Sequence, residues 1–355
     1  MAAGQIAYEA GQYARAERLL KAALARAEHF GPRDMRLPST LNRLAQVYHD
    51  QGEYSKAEPL YKRSLALVEK NLGPSHPDVA ANLNNLATLY RDEGRFEHAE
   101  ALYRRSLSIV RKAQGPDTQD VAITLNNLAD VYAAEGKFSA AEPLYKESLK
   151  ICEKTLGPKD MSVAISLNNL GALYDNQKKY DLAVESYKRA LAIKEVNLGP
   201  SDPSTALTLS NLGRVYVEAG KYDQAQPTLY RALTILHWPL DEPRNPVVGR
   251  ALDHLATYYR DTGNTTLAEY YYKKALDVTR KTQGARSPNL ASTMKNYALL
   301  LRQTHRPAEA AKLESDAGEI EAHPHAGVTA STPRAPRARR ARAKSRRTSS
   351  RKKHR

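Results

Sequence analysis

The side chains with the clearest capacity for chemistry are pairs of asparagines. They recur at a spacing of 42 residues: Asn84 with Asn85, Asn126 with Asn127, and Asn168 with Asn169. An asparagine amide presents a hydrogen-bond donor and an acceptor together. It therefore suits the alternating N–H and C=O groups of a polypeptide backbone, whatever the sequence of that polypeptide.

The same sequence offers little for catalysis or metal binding. Its 10 histidines are scattered, and none has the H-E-x-x-H spacing of a zinc enzyme. Cys152 is the single cysteine, which excludes a disulfide framework, and its apolar neighbours are typical of a small buried side chain. Glycine-rich phosphate-binding motifs are also missing from the sequence. We therefore predict a protein that is not an enzyme and that uses neither a cofactor nor a metal ion.

The asparagines belong to an internal repeat of 42 residues in which two amphipathic helices follow one another. In one repeat the apolar positions are Leu83, Leu86, Ala87 and Tyr90 on the first helix, called helix A, and Phe96, Ala99, Tyr103 and Leu107 on the second, called helix B. A turn glycine such as Gly94 separates the two helices, and a Gly-Pro linker ends each pair. A period of this length predicts an all-α solenoid of stacked helix pairs.

Two local features of helix B are also predicted. Ser55 and Glu58, like the equivalent residues of other repeats, have the spacing of a capping box at the start of the helix. The segment AQPTLYRAL from Ala225 is predicted to hold one residue more than its equivalents. This residue is expected near Thr228 as a π-bulge or as a shifted helix start.

The repeat divides the chain into about eight helix pairs, of which the first is truncated. Their bounds lie near residues 1–31, 37–72, 79–114, 121–156, 163–198, 205–240, 247–283 and 289–321. Because a single pair cannot bury its apolar stripes, neighbouring pairs must stack. The predicted domains are therefore a solenoid over residues 1–321 and a disordered, basic tail over residues 322–355.

The order of the repeated residues resembles the tetratricopeptide repeat. The longer unit with its Gly-Pro linker is similar to the repeat of kinesin light chains and of bacterial proteins built from the same unit, and the resemblance covers roughly residues 1–321. It implies a right-handed superhelix whose concave face is lined by helix A. In the family, this face binds extended or short helical peptide segments of partner proteins, and paired asparagines and basic side chains hold the peptide.

The resemblance assigns a peptide-binding role to matching residues of helix A. These are Asn42, Asn84, Asn85, Asn126, Asn127, Asn168, Asn169 and Asn211, together with the cations Arg91, Arg214, Arg260, Lys295 and Arg302. One alternative stays open, because the second asparagine of each pair neighbours a core leucine. That asparagine would then bond to the adjacent helix or linker and organise the stack instead of binding a peptide.

The charges expected in the groove change sign along the chain. Acidic residues are predicted toward the first half (Asp50, Asp130 and Asp175) and basic residues toward the second (Arg214, Arg250, His254, Arg260, Lys295 and Arg302). Because complementary charges favour association, acidic segments of a partner are predicted to prefer the C-terminal half. The set of side chains that clamps a free C-terminal carboxylate in some family members is missing, so no such binding is predicted.

The formal net charge of +15 is concentrated at one end of the chain. Residues 331–355 contain 12 Lys and Arg and no acid, which leaves +3 for the rest. The predicted polyanion-binding residues of this tail are Arg337, Arg339, Arg340, Arg342, Lys344, Arg346, Arg347, Arg351, Lys352 and Lys353. A segment of this composition is expected to be disordered and to bind polyanions such as nucleic acid.

The sequence thus supports two functions of different class. The first is a non-enzymatic scaffold or adaptor that binds peptide segments of other proteins in the groove. The alternative is a protein that binds nucleic acid or another polyanion through its tail and recruits partners through its repeats. A membrane span and a signal peptide are not recognisable, so a cytoplasmic location is predicted, or a nuclear one in a eukaryote.

Overall fold

The computed structural model describes residues 1–239 and 245–322, and every regular element within them is an α-helix. The helices are α1 (Ala2–Glu9), α2 (Tyr13–Glu28), α3 (Arg36–Asp50), α4 (Tyr54–Leu72), α5 (Pro77–Asp92), α6 (Phe96–Gln114), α7 (Gln119–Ala134), α8 (Phe138–Leu156), α9 (Met161–Asn176), α10 (Tyr180–Leu198), α11 (Pro203–Glu218), α12 (Tyr222–Ile235), α13 (Val247–Asp261), α14 (Thr265–Gln283), α15 (Pro288–Gln303) and α16 (Pro307–Ala322). Odd-numbered helices are helices A, even-numbered helices are helices B, and each pair packs against the next. The prediction of an all-α solenoid is confirmed. None of these helices is both long and apolar enough to cross a bilayer.

The turns between helices A and B require a left-handed backbone. Gly94 has a φ of 76°, and the other turn glycines are similar. Lys178 and His305 replace the glycine in two turns, and both adopt the same region, with φ of 57° and 60°. The turn geometry is therefore fixed by the packing of the two helices, and glycine only makes it less costly.

The capping boxes predicted at the start of helix B are wrong. The residue before α4 is Glu53 and the residue before α8 is Lys137, and neither side chain caps its helix. Glu58, which a capping box would turn back on its own helix, instead accepts a hydrogen bond from the Tyr90 hydroxyl of the next pair at 2.8 Å. It also accepts one from Arg95 of that pair at 3.1 Å.

The glutamate–tyrosine contact ties successive pairs together. It recurs between Glu17 and Tyr48 (3.1 Å), Glu100 and Tyr132 (2.7 Å), Glu142 and Tyr174 (3.4 Å), and Glu269 and Tyr297 (2.9 Å). A lysine or arginine four residues after the glutamate supports it, as Lys62 does at 2.8 Å from Glu58. The hydrogen bond from Lys62 holds the pKa of the Glu58 carboxyl below its usual value, so Glu58 stays ionised as an acceptor.

The extra residue predicted near Thr228 is not found. The helix Tyr222–Ile235 is continuous and contains no π turn. Leu229 fills the place that a buried tyrosine takes in other pairs, whereas Tyr230, which an insertion would put there, is 37% exposed. The additional residue belongs to the connection between α12 and α13, part of which lies outside the described residues.

Close approach between the two helices of a pair determines how the core is filled. Tyr103 and Tyr187, both on helix B, are fully buried against small residues of helix A. A Cβ added to Gly171 would lie 2.9 Å from the Tyr187 ring, and one added to Gly213 would lie 2.5 Å from Leu229. The apolar core therefore runs along the solenoid as a succession of large side chains of helix B placed on small residues of helix A.

One lysine stands in the core where other pairs have an apolar residue. Lys194 on α10 occupies the place of Cys152 on α8 and is 7% exposed. Its Nζ donates to the Ser204 carbonyl at 3.1 Å and to the Thr208 hydroxyl at 2.8 Å. Burial lowers the pKa of Lys194 to about 8, and the charge of Asp202 opposes this only in part.

Replacing Lys194 by methionine is expected to stabilise the protein at neutral pH. The depressed pKa means that the folded state carries the cost of a buried charge below about pH 8, and the cost disappears as pH rises toward the unfolded pKa near 10.5. The difference in unfolding free energy between the variant and the wild type should be about 3 kcal/mol at pH 7 and should shrink by pH 10. Urea denaturation at both pH values measures it. The exposed Lys188→Met is the control; equal pH dependence of all three proteins would contradict the prediction.

Candidate peptide-binding groove

Helices A line the inner surface of the solenoid. Successive helices A contact each other from α5 to α15. Successive helices B are further apart, and between α6 and α8 lies an open cleft of about 810 Å³ lined in part by Arg104, Leu107 and Leu144. The stack is therefore closed on the side of helices A and open on the side of helices B, which makes helices A the concave face.

The asparagine pairs show which residues of helix A face the groove. The Asn84 amide donates to the Thr124 hydroxyl of the next helix A at 2.9 Å, and the Asn85 amide donates to Asn42 of the previous helix A at 2.9 Å. Side chains between these two directions lie on the groove side of helix A, and some of them also reach back to helix B, as Thr88 does to the Tyr103 hydroxyl at 2.7 Å. They lie three residues before and four residues after the first asparagine, and we call them the groove-facing positions.

Side-chain hydrogen bonds join some helices A to the preceding helix A, and we call this arrangement the ladder; of the predicted asparagines it includes Asn42 and Asn85. Asn42 donates to Asn82 at 2.9 Å and accepts from Asn85. His254 stands on α13 where other helices have the second asparagine of the pair, and Ser210 stands on α11 where they have the first. The same contact joins these two residues at 3.0 Å. It recurs from Asn296 to Asp253, also at 3.0 Å. This is the arrangement expected if the second residue of each pair organises the stack.

The asparagines of α9 bond differently. Asn168 donates to the Ala164 carbonyl at 3.0 Å and accepts from the Thr208 hydroxyl at 3.2 Å. Asn169 donates to Asp130 of the preceding helix A at 3.4 Å. Both side chains are half-buried, so they too are engaged mainly within the stack.

Two asparagines keep an unused acceptor. The Oδ1 atoms of Asn84 and Asn126 are buried and have no hydrogen-bond partner among the described residues. Asn127 and Asn211, which follow the first residue of the pair on α7 and α11, are half-buried. A buried acceptor without a partner costs free energy unless something donates to it, which distinguishes Asn84 and Asn126 from the fully bonded Asn42.

Each of the five cations that were assigned a peptide-binding role is paired with a carboxylate. The pairs are Arg91 with Asp92 (3.0 Å) and Asp130 (3.2 Å), Arg214 with Asp175, Arg260 with Asp261 (2.7 Å), Lys295 with Glu321 (2.7 Å) and Arg302 with Glu314 (2.6 Å). The sequence showed the charges but not these contacts, two of which, Arg91 with Asp130 and Arg214 with Asp175, join different helices A. The pairing neutralises these cations locally.

Exposed apolar side chains stand at groove-facing positions, and the sequence analysis missed them. Ile123 and Ile165, three residues before the first asparagine of their helices, are 42% and 40% exposed. Leu299, four residues after Lys295, is 49% exposed. The sequence could have revealed them, because these apolar residues occupy helix positions outside the apolar stripe that the core buries. Open apolar surface on a concave face suits the apolar side chains of a bound segment.

The remaining candidates are metal ligands, the single cysteine and the basic tail. Within the ranges 1–239 and 245–322, no three His, Cys, Asp or Glu residues are grouped so as to hold a metal ion. Cys152 is buried, and burial raises the pKa of its thiol, which favours the unreactive protonated form. The predicted polyanion-binding residues from Arg337 to Lys353 lie outside the described residues.

Comparisons with known proteins agree on one kind of repeat. The tetratricopeptide repeat model matches residues 36–112, 120–195, 162–236 and 247–320. Among solved structures, BtubC (BKLC) from P. vanneervenii is 30% identical over 66% of this chain and 95% of that chain, with a TM-score of 0.57. A putative kinesin light chain from Podosopora anserina with nearly identical TPR-like repeats is 24% identical over 59% of this chain and 98% of that chain, with a TM-score of 0.52.

A third solved structure shares the fold at lower identity. The Rap conjugation gene regulator of the plasmid pLS20, in complex with the Phr* peptide, is 12% identical over 83% of this chain and 78% of that chain, with a TM-score of 0.60. Identity this low shows a common fold and nothing more. A comparison with curated proteins gives no match.

Replacing Asn42 by alanine should cost more stability than replacing Asn126. Asn42→Ala removes an acceptor from Asn85 and a donor from Asn82, and about 1 to 2 kcal/mol is expected. Asn126→Ala removes an acceptor that has no partner, and a change of about 0.5 kcal/mol or less is expected. Urea denaturation measures both values. Equal costs would show that the ladder does not hold the stack.

Proposed function

Because the chain belongs to the tetratricopeptide repeat family, and its repeats resemble those of kinesin light chains as expected, we propose that it is a non-enzymatic scaffold that binds segments of partner proteins in its concave groove. The observation that carries this proposal is the row of open apolar side chains on the inner face, such as Ile123 and Ile165. A folded protein that exposes such a row on a concave surface gains free energy by covering it.

The polar groups of the groove add to this proposal. The unused Oδ1 atoms of Asn84 and Asn126 would accept from backbone N–H groups of a bound segment, while Asn42 and Asn85 maintain the stack. The Rap regulator, a protein of the same fold, forms a complex with a peptide, which supports a role of this kind for such a solenoid. A cytoplasmic location is part of the same proposal.

The groove is tested by placing charges on it. Ile123→Glu with Ile165→Glu introduces two carboxylates into the apolar row, so proteins captured by the full-length chain should be lost or reduced about tenfold or more. Leu182→Glu with Val196→Glu is the matched control, because these side chains are 44% and 72% exposed on helix B. Affinity purification with quantitative mass spectrometry compares the four samples, including bait-free beads.

Circular dichroism and thermal unfolding must show that both double variants are folded. Partners retained by the groove variant and lost by the control would place the binding surface on helices B and contradict the proposal. The scaffold proposal would also be contradicted if the wild-type chain captured no partner from cells in which it is expressed.

The basic tail supports a second function, the binding of nucleic acid or another polyanion. Its 12 Lys and Arg without an acid are the observation that favours it. If several of them contact phosphates, the affinity of the full-length protein for duplex DNA should fall on the order of 10³-fold between about 50 and 200 mM salt. Deletion of residues 331–355 should abolish this binding in fluorescence anisotropy. DNA affinity that survives the deletion would refute the role of the tail.

A further inference from the structure

The cleft between α6 and α8 is a cavity on the opposite side of the solenoid from the groove. Its volume of about 810 Å³ lies within the range of roughly 300 to 1,000 Å³ that is typical of small-molecule sites. Its apolar lining includes Leu107, Leu128 and Leu144, and its cations are Arg104, Arg111 and Lys112. None of the residues that line it is acidic. The cleft therefore combines apolar surface with positive charge.

A small residue of α8 leaves this space open. Ala140 lines the cleft, whereas the equivalent residue, 42 positions away, is His98 on α6 and Leu182 on α10. At the junction of α4 with α6, the His98 ring packs edge-on against Tyr90, with ring centroids 5.5 Å apart. An alanine side chain is too short to cover the corresponding surface in the same way.

Aromatic rings occupy the equivalent place between α12 and α14. Tyr259 and Tyr271 correspond in helix register to Tyr132 and Leu144, which line the cleft between α6 and α8. The rings of Tyr259 and Tyr271 stack with their centroids 5.5 Å apart. An open cleft is therefore not a consequence of the repeat itself, because it depends on the residues present at each junction.

The charges beside the cleft also differ from those of other junctions. At three of them a glutamate of one helix B pairs with an arginine of the next, each at 2.6 Å: Glu69 with Arg105, Glu153 with Arg189, and Glu195 with Arg231. Between α6 and α8 the two residue types are exchanged, and Arg111 pairs with Glu147 at 2.7 Å. The exchange keeps the ion pair but places a cation on α6, directly before Lys112.

Lys112 has no balancing charge. Its equivalent on α8, Lys154, forms an ion pair with Asp117 of the linker before α7. The linker residue that corresponds to Asp117 one repeat earlier is Ser75, which carries no charge. Across residues 1–239 and 245–322, no ion pair includes the exposed Lys112. Since Arg104 and Arg111 are each paired with a glutamate, one positive charge of the lining is unbalanced.

The polar side chains of the lining are mainly hydrogen-bond donors. Arginine and lysine only donate, and the Tyr132 hydroxyl already donates to Glu100 at 2.7 Å and accepts from Arg104 at 2.6 Å. A polypeptide in the cleft would bring N–H groups that need acceptors, and the lining side chains offer few beyond the Ser108 hydroxyl. A ligand that has acceptors at one end and hydrocarbon elsewhere matches this lining.

We propose that the cleft between α6 and α8 binds a small amphiphilic carboxylate, such as a free medium-chain acyl carboxylate. Its hydrocarbon chain covers the three leucines. Its carboxylate accepts from the Lys112 ammonium and from N–H groups of Arg111, of whose five donors one bonds to Glu147. The single negative charge of the ligand matches the single unbalanced charge of the lining. The site lies outside the groove and is independent of the scaffold proposal.

Isothermal titration calorimetry of the full-length protein with three probes tests the ligand class. We expect saturable binding of octanoate and an affinity about tenfold or more lower for octanamide, which has the same shape without the charge. The third probe, N-acetyl-leucyl-glutamate N-methylamide, carries an apolar group and a carboxylate on a polypeptide backbone. It should also bind about tenfold or more weakly than octanoate. Equal affinities for octanoate and octanamide would overturn the proposal, and tighter binding of the peptide compound would overturn it in favour of a protein segment.

Two variants place the ligand in the cleft. Ala140→Leu introduces the side chain that α10 has at this position, on an exposed helical site, so the fold should be kept and octanoate binding lost. Lys112→Gln should lower the affinity for octanoate about threefold or more and leave that for octanamide unchanged. Lys154→Gln is the matched control, because its lysine is paired with Asp117, and it should change neither affinity. Circular dichroism verifies the fold of each variant. Wild-type affinity for octanoate in folded Ala140→Leu or in Lys112→Gln would contradict the proposal.

Discussion

The close approach of helix B to a small residue of helix A is the contact on which the rest of the structure depends. Gly171 and Gly213 show how little space remains, since an added Cβ would lie within 3 Å of the side chain from helix B. Two helices this close cover each other along one stripe only. Their remaining apolar surface has to be covered by the next pair, and the 42-residue period is the sequence expression of that requirement.

Stacking also decides which polar groups are left for function. On the outer side, contacts such as that between Glu58 and Tyr90 use the charged residues, and on the inner side hydrogen bonds between helices A use asparagines such as Asn42, Asn84 and Asn85. Buried polar groups in folded proteins are nearly always bonded. Among the described residues, the Oδ1 atoms of Asn84 and Asn126 are exceptions on the inner side, because stacking leaves them without a hydrogen-bond donor.

The fold could be predicted because its signals are local: apolar spacing within one helix, a turn glycine, and a linker proline. The site could be predicted only in part, because its contacts join residues about 30 to 44 positions apart. Spacing within one helix suggested that Glu58 caps it, whereas the structure uses this residue in the next pair. Likewise, the charge of Arg302 was evident, but its pairing with Glu314 depends on how two helices pack.

The central claim is that partners bind to helices A inside the curve. Site-specific photo-crosslinking in cells tests this most directly, with p-benzoylphenylalanine placed either at Ile165, which is 40% exposed in the groove, or at Lys188, which is exposed on helix B. The account predicts crosslinked partner bands from position 165 and none from position 188. Bands from position 188 alone, or equal bands from both positions, would contradict it.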